Sequence, residues 1–230
     1  MSGFRSAHLL GARGEGGAEL FFERLTAALA RAGDEVLPVI RHNEARAARL
    51  AAAGLRPAVA GFGPWTAPFA RPRLARRLRR FAPRVVMAWM QRAARHAPAG
   101  EWVLAGRLGG YYDLEAYRRC THLVANTEAL TRWIIAQGWP AGRVLHLPNF
   151  ATDLQGAAPV RLGVPVGAKL VLALGRLHRN KGFDLLIRAL PRLPHVHALI
   201  AGEGPERAAL EPLARREGVA DRLHLPGWRA

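Results

Sequence analysis

The segment Leu174-Gly175-Arg176-Leu177-His178-Arg179-Asn180-Lys181-Gly182-Phe183-Asp184-Leu185-Leu186 holds two cations of different kinds, each next to a glycine. Arg176 offers a planar fork of N–H donors and Lys181 a compact point charge, a complementary pair for the oxygens of a diphosphate. Of the 34 basic residues, Lys169 and Lys181 alone are lysine, so the chain departs from its habitual arginine beside Gly182. The plainer reading is two solvated charges on an ordinary strand-to-helix loop.

The flanking elements would place these cations. Residues 169–174 form a short apolar run of the kind expected for a strand covered on both faces of a parallel sheet. Gly175 ends it. Phe183, Leu186, Ile187 and Leu190 then recur at helical spacing, so a helix is predicted to open near Gly182 with its unpaired N–H groups toward the loop. Such an end is a natural anion site. A strand at 198–201, the turn Gly202-Glu203-Gly204, a helix opening at Pro205 and a strand at 222–225 follow.

An earlier pass of strands and helices precedes this one. The run 7–10 is followed by Gly11, Gly14, Gly16 and Gly17. A helix from about Ala18 would turn Leu20, Phe21, Leu25 and Leu29 inward and stop at Gly33. Strands are predicted at 35–40, 85–88, 102–105, 122–125 and 144–147. Asn126 or Thr127 can cap a helix running to Gln137 and ending at Gly138. Alternating strands and helices argue for parallel sheets covered by helices. The reading divides the chain into a first domain at 1–150, a linker and domain entry at 151–168, where glycines and prolines cluster without periodicity, and a second domain at 169–230.

The order of these pieces resembles the family 4 retaining glycosyltransferases, which have the two-domain GT-B fold and move a sugar from a nucleotide-sugar to an acceptor. The matching residues are Gly16-Gly17-Ala18-Glu19, Asn126-Thr127, Pro148-Asn149, Gly175-Arg176-Leu177 with Lys181-Gly182, and Gly202-Glu203-Gly204-Pro205. Each is weak alone; their order carries the resemblance. It implies an α/β fold of two Rossmann-like, doubly wound parallel-sheet domains. It also implies that Arg176 and Lys181 grip the donor diphosphate, that Gly16 and Gly17 let the backbone approach donor or acceptor, and that Gly202 and Glu203 lie near the nucleoside. For Gly202 and Glu203, a turn that needs glycine for geometry alone is an equal reading. The family works without a metal or other cofactor, the nucleotide-sugar being the donor substrate.

The stretch Gly106-Arg107-Leu108-Gly109-Gly110-Tyr111-Tyr112-Asp113-Leu114 is similar to members that build lipopolysaccharide or surface polysaccharide, which implies a glycan or lipid-linked acceptor. Where many members carry a histidine after this strand, Leu108 and Gly109 stand instead. The family's glutamate pair lies further on than Ala230, so the second domain is expected to be incomplete. The alternative weighed with transfer is an inactive remnant that binds nucleotide weakly or associates with anionic membrane.

Bulk properties narrow the classes. At 230 residues with 50% hydrophobic and 22% charged residues, this is the composition of a globular chain. No apolar run approaches the roughly 18 residues of a membrane span, and Met1-Ser2-Gly3-Phe4-Arg5 lacks the apolar core of a secretion signal, which favours the cytoplasm. Cys120 is the single cysteine, so no internal disulfide forms, and it reads as a small buried hydrophobe. The net charge of +17 attracts polyanions. It is densest from Arg71 to Arg84, where Leu74, Leu78 and Phe81 share one helical face, an amphipathic basic helix suited to peripheral contact with an anionic membrane or to plain packing of its apolar face. Nucleic acid is not expected as a partner, because no zinc-finger or RNA-binding pattern accompanies the charge. A dinucleotide-dependent oxidoreductase is disfavoured, since Gly11-Ala12-Arg13-Gly14-Glu15-Gly16 lacks the required glycine spacing.

Overall fold

A computed structural model describes residues 3–63, 67–151, 158 and 163–229, with the backbone alone described at 67–69. The chain divides into two compact units, Met1–Thr152 and Asp153–Ala230. Most of the expected linker, 152–157 and 159–162, lies outside the described residues.

The first unit runs β1 (Arg5–Leu10), α1 (Gly17–Arg31), β2 (Glu35–Ile40), α2 (Glu44–Ala52), β3 (Ala58–Val59), α3 (Ala67–Phe81), β4 (Val85–Trp89), α4 (Met90–His96), β5 (Val103–Leu108), β6 (His122–Ala125), α5 (Glu128–Ala136) and β7 (Val144–His146). Its strands pair in parallel in the order β3-β2-β1-β4-β5-β6-β7. Neighbouring residues face opposite ways along a strand, and both faces are covered. Leu9, Val39 and Ala88 pack with Leu74, Leu78, Ala93, Leu130 and Ile134. Their neighbours Leu10, Ile40 and Trp89 pack with Phe21, Phe22, Leu25 and Leu50. The inner face of α1 is therefore Phe21, Phe22, Leu25 and Thr26. Leu20 and Leu29 are only half-buried, a shift from the predicted stripe. Thr127, not Asn126, caps α5, its Oγ1 accepting from Leu130 N at 3.1 Å. The apolar face of α3 belongs to the core: Leu74 and Leu78 are buried and Phe81 packs against them.

The second unit runs β8 (Lys169–Leu174), α6 (Phe183–Ala189), β9 (Val196–Ala201), α7 (Arg207–Arg216) and β10 (Leu223–His224). These strands are also parallel, in the order β10-β9-β8. The core joins Phe183, Ile187 and Leu190 of the α6 region to Ala198 and Ile200 of β9 and to Leu210 and Leu213 of α7. The expectation that β8 is covered on both faces fails. It is an edge strand, and Leu170, Leu172 and Leu174 are exposed, because among the described residues α6 and α7 cover one face of this sheet. The helix expected at Pro205 begins two residues later, at Arg207.

Candidate functional site

In the second unit the loops that follow β8 and β9 lock into each other through their backbones. Leu177 N donates to Glu203 O at 3.0 Å and Glu206 N returns to Leu177 O at 3.1 Å. The approach is so close that a Cβ at Gly202 would lie 1.9 Å from Gly175 O, and one at Gly204 would lie 2.2 Å from Leu177 O. Only glycine fits at either position. Gly175-Arg176-Leu177 and Gly202-Glu203-Gly204, remote in sequence, are therefore one structural feature.

Beyond Leu177 a short 3-10 turn, Arg179–Lys181, ends at Gly182, whose φ of +63° is the left-handed conformation that starts α6. This turn folds Lys181 back over the strand end. Its Cε and Cδ pass 3.9 and 4.0 Å from the position a Cβ would take on Gly175, next to Arg176. Arg176 and Lys181 are exposed, and among the described residues neither side chain has a hydrogen-bond or ion-pair partner. Two unlike cations are thus held free at the carboxyl end of a parallel strand, where such sheets bind ligands.

Glu203 is placed differently from its neighbours. Its carboxylate is gripped by Arg207 in a two-point contact of 2.8 and 3.0 Å and lies over Gly227. Arg207 also reaches Glu211 and Leu225 O. This ties α7 to the strand ends, where Gly202 N also donates to Gly227 O at 2.9 Å.

Gly16 and Gly17 lie in the first unit, where the chain leaves β1 for α1. Gly16 has an extended backbone, φ −173°, that any residue can adopt. A Cβ there would meet only the mobile end of Glu19, and one at Gly17 would meet nothing within 4 Å. Neither glycine is demanded by internal packing. What shapes this loop is Arg46, from α2, an element the sequence reading did not assign. Arg46 is fully buried, donating to Ala12 O at 3.1 Å, Gly14 O at 2.6 Å and Glu23 Oε1 at 3.0 Å. Asn43, the cap of α2, donates to Arg13 O at 2.9 Å. The legible signal was Asn43 ahead of a run of helix formers; the burial of an arginine had none.

Two further buried polar groups sit under the loops of the first sheet. His8 accepts from Trp89 Nε1 at 3.3 Å through Nδ1, so its proton is on Nε2, which points to Ser6 Oγ at 3.2 Å. Burial pushes His8 down to about 4, and it is neutral at ordinary pH. Arg107, at the end of β5, is 3% exposed and has no carboxylate partner among the described residues. It donates to Leu147 O at 2.9 Å and to Asn149 Oδ1 at 2.7 Å, and lies over Phe21 and Trp89 at 4.9 and 5.4 Å from the ring centres. Burial without a countercharge lowers it to about 10. It pins the Pro148-Asn149 turn at the far end of the unit. Cys120 is free and buried, its thiol pushed up to about 12 by burial.

Residues 157–230 match the model of the family described as Glycosyl transferases group 1. The chain is 34% identical over 227 residues to the lipopolysaccharide core biosynthesis glycosyltransferase LpsD of Rhizobium meliloti (strain 1021), with 94% of this chain and 64% of that protein covered. LpsE of the same organism is 33% identical over 226 residues, with the same shares. The chain thus spans less than two-thirds of the length of these relatives. Among solved structures it is similar to Anabaena Alr3699/HepE in complex with UDP, at a TM-score of 0.78 and 20% identity over 99% of this chain and 70% of that one. A glycosyltransferase from Rickettsia africae ESF-5 matches at a TM-score of 0.80 and 13% identity, covering 100% and 69%. The fold is the α/β, GT-B architecture of these glycosyltransferase structures.

Proposed function

We propose that the chain carries the donor-diphosphate loops of a glycosyltransferase that moves a sugar from a nucleotide-sugar to a glycan or lipid-linked acceptor, with retention at the anomeric carbon, in lipopolysaccharide core or surface-polysaccharide synthesis. The observation that carries this reading is the unpartnered pair Arg176 and Lys181, held beside Gly175 by the interlocked glycine turns. The family match over 157–230 covers these loops, both 94%-coverage relatives are named for lipopolysaccharide core synthesis, and Anabaena HepE was solved with UDP and with UDP-glucose.

In this mechanism the bond from the anomeric carbon to the diphosphate oxygen breaks and its electron pair leaves with the nucleoside diphosphate. The acceptor hydroxyl oxygen bonds to the same carbon from the same face, and its proton passes to the departing phosphate oxygen. Negative charge grows on the diphosphate, and Arg176 and Lys181 meet it there. These two cations supply the charge that a metal supplies in other phosphate sites, so no cofactor is required. The open backbone at Gly16 and Gly17 admits donor or acceptor without a side chain in the way, and the backbone at 202–204 adjoins the nucleoside. The outward arginines of α3 suit peripheral contact with an anionic membrane face in the cytoplasm, where a lipid-linked acceptor would be presented.

The test is transfer itself. The chain is incubated with core-truncated lipopolysaccharide and UDP-, GDP- and ADP-sugars labelled in the sugar. One donor is expected to release its nucleoside diphosphate as label enters the lipid, with both lost in the Arg176→Ala, Lys181→Ala double variant. Transfer undiminished in that variant would refute the assignment.

A further inference from the structure

The first sheet has a crevice of its own. Its order, β3-β2-β1-β4-β5-β6-β7, reverses direction between β1 and β4, and in open parallel sheets the connections leaving such a pair to opposite sides open a ligand site at the carboxyl ends. A cavity of about 860 Å³ lies there, lined by the residues that follow β1, β2 and β4. The chain enters α4 through Met90 at φ +61°, a left-handed conformation that is strained for a non-glycine residue. Strain of this kind clusters at ligand sites.

Four arginines converge on this cavity: Arg13 from the loop after β1, Arg41 directly after β2, and Arg92 and Arg95 from α4. Arg13, Arg41 and Arg92 have no carboxylate partner among the described residues, and Arg95 has only a 3.4 Å contact with exposed Asp113. Glu19 is the one acid lining the cavity. The guanidinium groups feel each other: Arg41 is held below its ordinary value by burial and by Arg13 and Arg92. His96 is likewise lowered by burial and by Arg92 and other arginines. Gathering like charges without internal neutralisation is unfavourable unless a ligand brings the opposite charge. Gln91 and Tyr112 add groups that hydrogen-bond hydroxyls.

We infer that this cleft binds a sugar bearing two or more oxyanion groups, phosphate or carboxylate, with Arg13, Arg41, Arg92 and Arg95 as its receptors. Guanidinium forks pair two-to-two with either oxyanion. Naming that sugar the acceptor rests on the proposed transferase reading; the recognition of a multiply charged sugar rests on the cleft alone.

The test titrates the 230-residue chain by calorimetry with glucose 1,6-bisphosphate, digalacturonate and uncharged glucose, and separately with UDP. One charged sugar is expected to bind saturably and glucose not at all, the preferred one identifying phosphate or carboxylate as the recognised group. Arg41→Gln and Arg92→Gln should each lower that affinity about tenfold, while Arg24→Gln and Arg56→Gln, which remove equal charge away from the cleft, should leave it unchanged. Absence of binding by both charged sugars, or equal losses in all four variants, overturns the inference. So does loss of UDP binding in Arg41→Gln with displacement of UDP by the bisphosphate, because the cleft would then be a nucleotide site. UDP binding that responds only to Arg176 and Lys181 leaves the donor reading standing whatever the charged sugars do. Charged-sugar binding without UDP binding would contradict the donor reading and support the cleft.

Discussion

At the scale of single residues, the candidate site is set apart by two unlike cations, neither paired with an acid among the described residues, beside a glycine turn locked to a second loop. Glu203, one residue from Gly202, is bound to Arg207, whereas Arg176 and Lys181 pair with no acid among the described residues. His8 shows the opposite condition, a titratable group sealed in the core. Its folded-state value is about 4 against about 6.5 in the unfolded chain, so between these values the unfolded chain takes up a proton that the folded chain refuses. Stability therefore falls as pH drops from about 6.5 to 4. At pH 5 the loss from this residue is about 2 kcal/mol relative to pH 7, taking about 1.4 kcal/mol per pH unit. Urea unfolding at both pH values checks this: His8→Gln, which can still accept from Trp89, should lose that share of the difference, and an unchanged difference would show that His8 is not the titrating group. Arg176 and Lys181 stood out in the sequence because a lysine broke a pattern of arginines next to a glycine. His8, Arg46 and Arg107 did not, because the burial of a polar side chain depends on elements that meet it in space from 23 to 81 positions away.

At the scale of elements, strands flanked by glycine were legible because short apolar runs and turn residues are local signals. β2 and β6 have the bounds that the residue pattern predicts, and Gly33 and Gly138 end their helices with φ of +94° and +95°. Three elements were missed. α2 and α4 are short and rich in alanine and arginine, with a single large apolar residue each, Leu50 and Met90, to mark a stripe, and β3 is two residues long. The burial of β8 was misjudged because an apolar run states what a strand could bury and not what covers it. The loop between β1 and α1 owes its shape to one such missed element. Arg46→Met would strand Ala12 O and Gly14 O without this donor and leave Glu23 to Arg49 alone, and is expected to cost about 3 kcal/mol. Faster amide exchange over residues 12–19, measured alongside urea unfolding, should accompany it. Arg46→Lys should not restore the loop, since one ammonium cannot reproduce a fork directed at three acceptors. Wild-type exchange in Arg46→Met would show the loop to be held otherwise.

At the scale of the whole molecule, charge and topology point to the same chemistry by separate routes. Residues 45–100 contain twelve arginines and no acid, yet the core of the first unit closes because α3 buries Leu74 and Leu78 and turns its arginines outward. Each sheet is parallel and each presents its strands' carboxyl ends as loops with free cations, Arg176 and Lys181 in the second unit and the arginine cleft in the first. Among the described residues no helix is long and apolar enough to cross a membrane. The two-domain α/β class was legible from the alternation of strands and helices and from the ordered glycine motifs. The interlock of the 175–177 and 202–204 turns was not, because it joins segments nearly thirty residues apart. That interlock and the two cations it exposes are the centre of the functional reading. The most direct measurement is calorimetric titration of the chain with UDP, GDP and ADP, repeated with Arg176→Ala and Lys181→Ala. One nucleoside diphosphate should bind, and each variant should weaken it about tenfold or more, the loss of one charge-assisted contact. Unchanged affinity in both variants, or no binding of any of the three, would contradict a diphosphate site at this loop.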